Sequence, residues 1–138
     1  MKPLYTATVT ATGGRNGHVK SSDGILDMPV TMPEGLGGKG DSSNPEQLFA
    51  AGYASCFQSA LMVVAGKQRI PLADKSTVTA HVTLNRSDNG SYGLSVVLDI
   101  DLHDIEKDLA RQLVEKAHEI CPYSVGTRGN IDVELNVK

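Results

Sequence analysis

The sequence has no block of like charge. Thirteen Lys and Arg are interspersed among sixteen Asp and Glu, for a net charge of −3, which is the wrong footprint for nucleic acid or an anionic membrane and sets both aside as partners. The start, Met1-Lys2-Pro3-Leu4-Tyr5-Thr6, lacks a charged stretch followed by an apolar one. No secretory signal is read there, and the expected location is the cytoplasm. The sequons Asn85-Arg86-Ser87 and Asn89-Gly90-Ser91 are then chance matches. Cysteine is scarce, with two in 138 residues, and in a reducing compartment any bond between them is expected to be transient and chemical. His18, His81, His103 and His118 are scattered and make no C-x-x-C or H-x-x-x-H spacing with Cys56 or Cys121, so no metal is expected. Gly35, Gly37 and Gly40 mimic a dinucleotide-binding fingerprint. Prolines interrupt the stretch before them, and no acidic residue lies between Glu46 and Asp74 to take a ribose hydroxyl. The loop also lacks the Lys-Ser/Thr ending of a phosphate loop, and no bound cofactor is expected.

What is present points to one α+β domain over residues 1–138. At 14.6 kDa the area scaling laws give about 6,900 Å² exposed when folded against roughly 21,000 Å² unfolded, enough burial for a real core. Leu4 to Thr12 is rich in β-branched residues, and the turn signals Asn16-Gly17 and Asp23-Gly24 make it the start of a meander. Met28-Pro29-Val30-Thr31-Met32-Pro33 reads as an edge or irregular extended stretch, because proline cannot donate to a ladder. Asn44 as N-cap, Pro45 at the first helical position, Glu46 in the first turn and Gln47 three residues after the cap predict a helix to about Gly66. From Leu48 to Gly66 that helix carries no charge, so it is expected to be covered on every side. Strands follow at 77–84 and 92–102 around the hairpin signal Asp88-Asn89-Gly90. A second helix is expected to be capped by Asp104 and ended by Pro122, with Ile105, Leu109, Leu113, Ala117 and Ile120 inward. Ile131 to Val137 alternates as a closing strand. The order is βββ-α-ββ-α-β, with antiparallel sheets packed around the central helix.

Cys56 is the residue of most chemical interest. It lies on a helical stripe with Phe49, Tyr53, Ala60 and Val63, where an inert core thiol is the plain alternative. Cys121 closes the second helix beside a proline and is a possible redox partner. His118, three residues earlier, would permit a Cys–His nucleophile pair instead, or serve only as a cation at a helix end. Arg15 stands in the glycine-framed tip Gly13-Gly14-Arg15-Asn16-Gly17, either reaching over the helix or simply solvated. Glu46 is open to a role of its own or to plain dipole complementarity.

Three segments resemble those of the organic hydroperoxide resistance proteins, within the Ohr/OsmC family of thiol peroxidases. They are Gly13 to Gly17, Asn44 to Phe57, and Cys121-Pro122-Tyr123-Ser124 with Thr127-Arg128-Gly129-Asn130. Small departures are Ser55, where the family commonly has alanine, and Val125-Gly126, where it often has Asn-Ala. The resemblance covers the chain in order and length. It implies an OsmC-like fold in an intertwined homodimer, with Cys56 as the peroxidatic thiol and Cys121 as the resolving one. It also implies that Arg15 and Glu46 activate the thiolate, that the substrate is an organic hydroperoxide, and that the reductant is an external dithiol, the lipoyl group of a lipoylated protein.

The chemistry fits these residue types. Sulfur attacks a peroxidic oxygen as thiolate, so a buried thiol needs a cation, which Arg15 can supply while Glu46 orients it. Apolar neighbours favour alkyl and fatty-acyl peroxides, at about 0.8 kcal/mol per methylene buried. A Cys56 sulfenate would condense with Cys121 and be reopened by dithiol exchange. Glu46 and Cys56 are ten residues apart, about 15 Å along an unbroken helix. Each site is therefore expected to be completed in trans, by a second copy whose helix crosses antiparallel near Ala51 and Gly52; a bend at Gly52, bringing Glu46 to the Cys56 of its own chain, is the alternative. The competing readings are an OsmC-type peroxidase of broader peroxide use, a Cys121/His118 hydrolase, and a non-enzymatic carrier of apolar ligands.

Overall fold

The computed structural model describes all residues, Met1–Lys138, and the chain groups into two compact units, Met1–Leu48 and Phe49–Lys138. In the first unit, strands β1 (Val9–Thr12), β2 (Gly17–Ser21) and β3 (Asp27–Val30) form an antiparallel sheet in the order β1-β2-β3. The proline-bearing β3 is indeed an edge. Pairing of β1 with β2 ends at Val9↔Ser21, with one further bond from the Ser22 N–H to the Thr8 carbonyl at 2.9 Å, so residues 4–7, expected to be strand, lie outside the assigned strand. Leu4 and Tyr5 stand in solvent.

Helix α1 (Pro45–Lys67) begins at the end of this unit and runs on without a break. The Asn44 side-chain oxygen accepts the Gln47 N–H at 2.9 Å, and Asn44 is 7% exposed. The cap is thus a buried acceptor satisfying an otherwise orphan donor. Asn44→Ala is expected to cost about 1 kcal/mol of stability, measurable as a lower midpoint in urea with an unchanged slope.

In the second unit, β4 (Thr77–Arg86) and β5 (Tyr92–Asp101) form the expected hairpin, and β6 (Asp132–Val137) joins β5. The β5–β6 pairing is parallel, which corrects the expectation of purely antiparallel sheets. A parallel return needs a crossover of a dozen or more residues, and α2 (Lys107–Ile120) with α3 (Pro122–Thr127) supplies it. Rows such as Val82–Val96–Val133, Ala80–Leu98–Leu135 and Val78–Ile100–Val137 line up across the three strands. Tyr53, Phe57 and Leu61 of α1 share a buried core with Val96, Leu98 and Ile100 of β5 and Leu113, Val114 and Ala117 of α2.

Four further expectations are corrected. Asp104 does not cap α2; it sits in a left-handed turn at φ 63, and the longer Glu106 side chain reaches back to accept the N–H groups of Asp108 and Leu109. Pro122 does not merely stop α2 but opens α3 at its first position, where a missing N–H costs nothing and the fixed φ suits a helix. Ile120 is exposed, because the buried face of α2 is centred on Ala110, Leu113, Val114 and Ala117. Finally, α1 is not covered on every side within one chain. Ala51, Ser55, Ser59, Met62 and Gly66, spaced four, four, three and four apart, form an exposed uncharged stripe, with Val63 beside it. The helix is long and apolar enough to cross a membrane, but its opposite face is a protein core.

Candidate functional site

In the first unit, Gly13 and Gly14 take positive φ values of 75 and 58, turning the chain so that Arg15 stands at the tip between β1 and β2. Its guanidinium makes two parallel hydrogen bonds to the Glu46 carboxylate, Nη1 to Oε2 at 2.8 Å and Nη2 to Oε1 at 2.6 Å. This fork fixes orientation as well as charge. The hydrogen bond from Arg15 is the main cause that holds Glu46 below the usual carboxylate range, against a smaller opposing effect of burial. The pair's contribution to stability is therefore complete above the ordinary carboxylate value and is lost only as pH falls through the depressed one.

In the second unit, α1 carries Cys56 and the α2–α3 junction carries Cys121. Both are free thiols, with their sulfurs 3.7 Å apart. Cys56 is half-buried, while Cys121 is fully buried. Burial is the main influence on the Cys56 thiol and pushes it up. The Tyr123 main-chain N–H donates to the sulfur and favours the thiolate, and the neighbouring Cys121 opposes it. That N–H is available because Pro122 and Tyr123 open α3, where the first donors have no intrahelical partner. The Tyr123 ring packs edge-on to Phe49 and tilted to Tyr53. It leans so close to α1 that a Cβ on Gly52 would lie 2.5 Å from its hydroxyl oxygen. Gly52 therefore accommodates this chain's own tyrosine.

The four residues singled out from the sequence thus fall into two pairs, Arg15 with Glu46 and Cys56 with Cys121. His118 does not partner Cys121: its Nδ1 meets the Ser124 hydroxyl at 2.9 Å, and burial followed by Arg128 holds its pKa below the ordinary histidine value. Sequence reasoning missed Tyr53, whose hydroxyl meets that of Ser124 at 2.8 Å, and the Tyr123 N–H. The signal for the first was present, since Tyr53 precedes Cys56 by three residues and Ser124 follows Cys121 by three.

Residues 38–136 match the family model described as OsmC-like protein. The chain belongs to the OsmC-like family. Among the relatives of this OsmC-like chain, organic hydroperoxide resistance protein OhrB of Bacillus subtilis is 46% identical, with 98% of each chain covered. The organic hydroperoxide resistance protein of Xanthomonas axonopodis pv. citri is 47% identical over 99% of this chain and 96% of its own. The crystal structure of an organic hydroperoxide resistance protein from Elizabethkingia anophelis matches with a TM-score of 0.93 at 51% identity, covering 100% of this chain and 99% of that one. The α+β class and the Ohr resemblance stand on these matches, within the OsmC-like family.

Proposed function

We propose that the protein is a cysteine peroxidase that reduces organic hydroperoxides to alcohols, working in the cytoplasm as a homodimer. The observation that carries this reading is the pair of unbonded sulfurs at 3.7 Å, one half-open and one sealed. The names of the Bacillus and Xanthomonas relatives agree with it. The Cys56 thiolate attacks one peroxidic oxygen, the O–O bond breaks, and the alkoxide leaves and is protonated to the alcohol. The sulfenic acid left on Cys56 condenses with the Cys121 thiol, forming the disulfide and releasing water. The rings of Phe49 and Tyr123, packed on one another and at least partly exposed, offer apolar surface to a substrate. Each methylene buried there is worth about 0.8 kcal/mol, about fourfold in selectivity per carbon, and hydrogen peroxide has none to bury. Arg15, held by Glu46, is the cation that keeps Cys56 ionised and meets the developing alkoxide.

The disulfide is reopened by an external dithiol. It enters at Cys56, because Cys121 is fully buried; a mixed disulfide forms, and the second thiol of the reductant then displaces Cys56. A lipoyl group suits this step by closing to a cyclic disulfide, and a lipoylated protein is the partner proposed.

One feature supports the dimer. The α1 stripe at Ala51, Ser55 and Ser59 is small, uncharged and exposed, which suits close approach of a second helix. In the dimer the Arg15–Glu46 pair serves the Cys56 of the partner, with the helices crossing near Ala51.

Treating the reduced protein with one equivalent of cumene hydroperoxide is expected to remove both free thiols. Peptide mapping should then recover a Cys56–Cys121 disulfide within one chain. Intact thiols, or only interchain products, would refute the mechanism.

A further inference from the structure

The second unit holds a buried polar chain that the two chemical steps above leave unused. Tyr53 and Ser124 are both 0% exposed. Their hydroxyl oxygens are 2.8 Å apart, and the Ser124 oxygen lies 2.9 Å from His118 Nδ1. One direction of donation satisfies all three groups: Tyr53 O–H donates to Ser124, and Ser124 O–H donates to a neutral imidazole nitrogen. Arg128 ties the far side by donating to the His118 carbonyl at 2.7 Å. Burying two hydroxyls and half-burying an imidazole is less favourable than packing apolar side chains in the same space. What the polar chain adds is direction: apolar packing tolerates sliding, whereas hydrogen bonds weaken steeply when misaligned.

Its position relative to the thiols is regular. Tyr53 lies three residues from Cys56 on α1, and His118 and Ser124 lie three residues either side of Cys121. The chain therefore bridges the two thiol-bearing segments about one helical turn from the sulfurs.

We infer that Tyr53, Ser124 and His118 are positioning residues that hold Cys121 in register with Cys56 for disulfide closure. This rests on the peroxidase reading for its biological purpose but not for its physics. Closure joins Cys56–SOH and Cys121–SH into the S–S bond; the sulfenic oxygen leaves as water with the Cys121 proton. The competing fate is attack of the Cys56 sulfenate on a second peroxide, which gives the sulfinate and a second alcohol. Register decides the race, because only closure depends on the distance between the two sulfurs.

The test compares Tyr53→Phe and Ser124→Ala with the unmodified protein. Tyr53→Phe keeps the buried ring, so the test survives should the serine variant fail to fold. In a glutathione redox buffer, where no peroxide is needed, the equilibrium constant for the Cys56–Cys121 disulfide is expected to fall about tenfold, the effect of one hydrogen bond, which is about 30 mV for this couple. With excess cumene hydroperoxide, mass spectrometry should show the disulfide-to-sulfinate ratio falling by a similar factor. An unchanged equilibrium constant in the folded variants overturns the positioning role. A shifted constant in a protein that never reacts with peroxide upholds that role and removes the peroxidase reading instead.

Discussion

Arg15→Ala is expected to lower the second-order rate constant for cumene hydroperoxide at least about a hundredfold at neutral pH, by stopped-flow measurement. The expectation has two parts. An unperturbed thiol is only about 3% ionised at pH 7, and burial pushes Cys56 above even that starting point. The Tyr123 N–H is one neutral donor against that trend, so without the guanidinium the thiolate fraction falls further. The second part is the loss of a preorganised donor for the leaving alkoxide, a change commonly worth about 10² to 10³ in rate. The two parts separate by pH. Raising pH restores the thiolate but not the donor, so the variant's rate should climb well above neutrality and still level off below that of the unmodified protein. Arg15→Lys returns the charge without the two-pronged grip on Glu46 and should recover only part of the loss. An unaltered rate for Arg15→Ala would mean that some other cation serves Cys56.

Mixed dimers carry the second large effect. One protomer bears Arg15→Ala and its partner Cys56→Ser, each with a different tag so that the mixed species can be purified. If the Arg15–Glu46 pair of one protomer serves the Cys56 of the other, one of the two sites has an intact Arg15 and an intact Cys56. The mixed dimer should then show about half the turnover of the unmodified dimer, although both parent homodimers are nearly inactive. A site completed within one chain predicts no recovery, because every chain then lacks one of its two groups. Failure to isolate any dimer would remove the trans arrangement altogether.

Legibility in the sequence followed locality. The start of α1 could be read from Asn44-Pro45-Glu46-Gln47, and the β4–β5 hairpin from Asp88-Asn89-Gly90, because caps and turns are decided by adjacent residues. The parallel course of β6 could not, because its alternation names a buried face without naming a neighbour or a direction. The exposed stripe on α1 has a related origin: absence of charge marks a surface that water need not cover, without naming what covers it. Asp104 was a plausible cap by residue type, and only the φ of 63 at that position passes the duty to Glu106. Cys56, Cys121, Arg15 and Glu46 were legible as candidates from residue type and setting. Tyr53 and Ser124 could be read only from their three-residue spacing to the two cysteines; that their hydroxyls meet depends on bringing together residues 71 positions apart.

Cys121 is the last residue before one helix and the first after another, with an extended backbone at φ −60 and ψ 123. A disulfide needs its sulfurs at about 2.05 Å, so bonding must draw the pair together from 3.7 Å. Cys121 is the junction between α2 and α3 where the backbone leaves helical geometry, so it is where the proposed closure is expected to find that travel. On the peroxidase reading, the repeated travel of oxidation and repair is expected to fall on that joint, with the helical frame on either side left at rest.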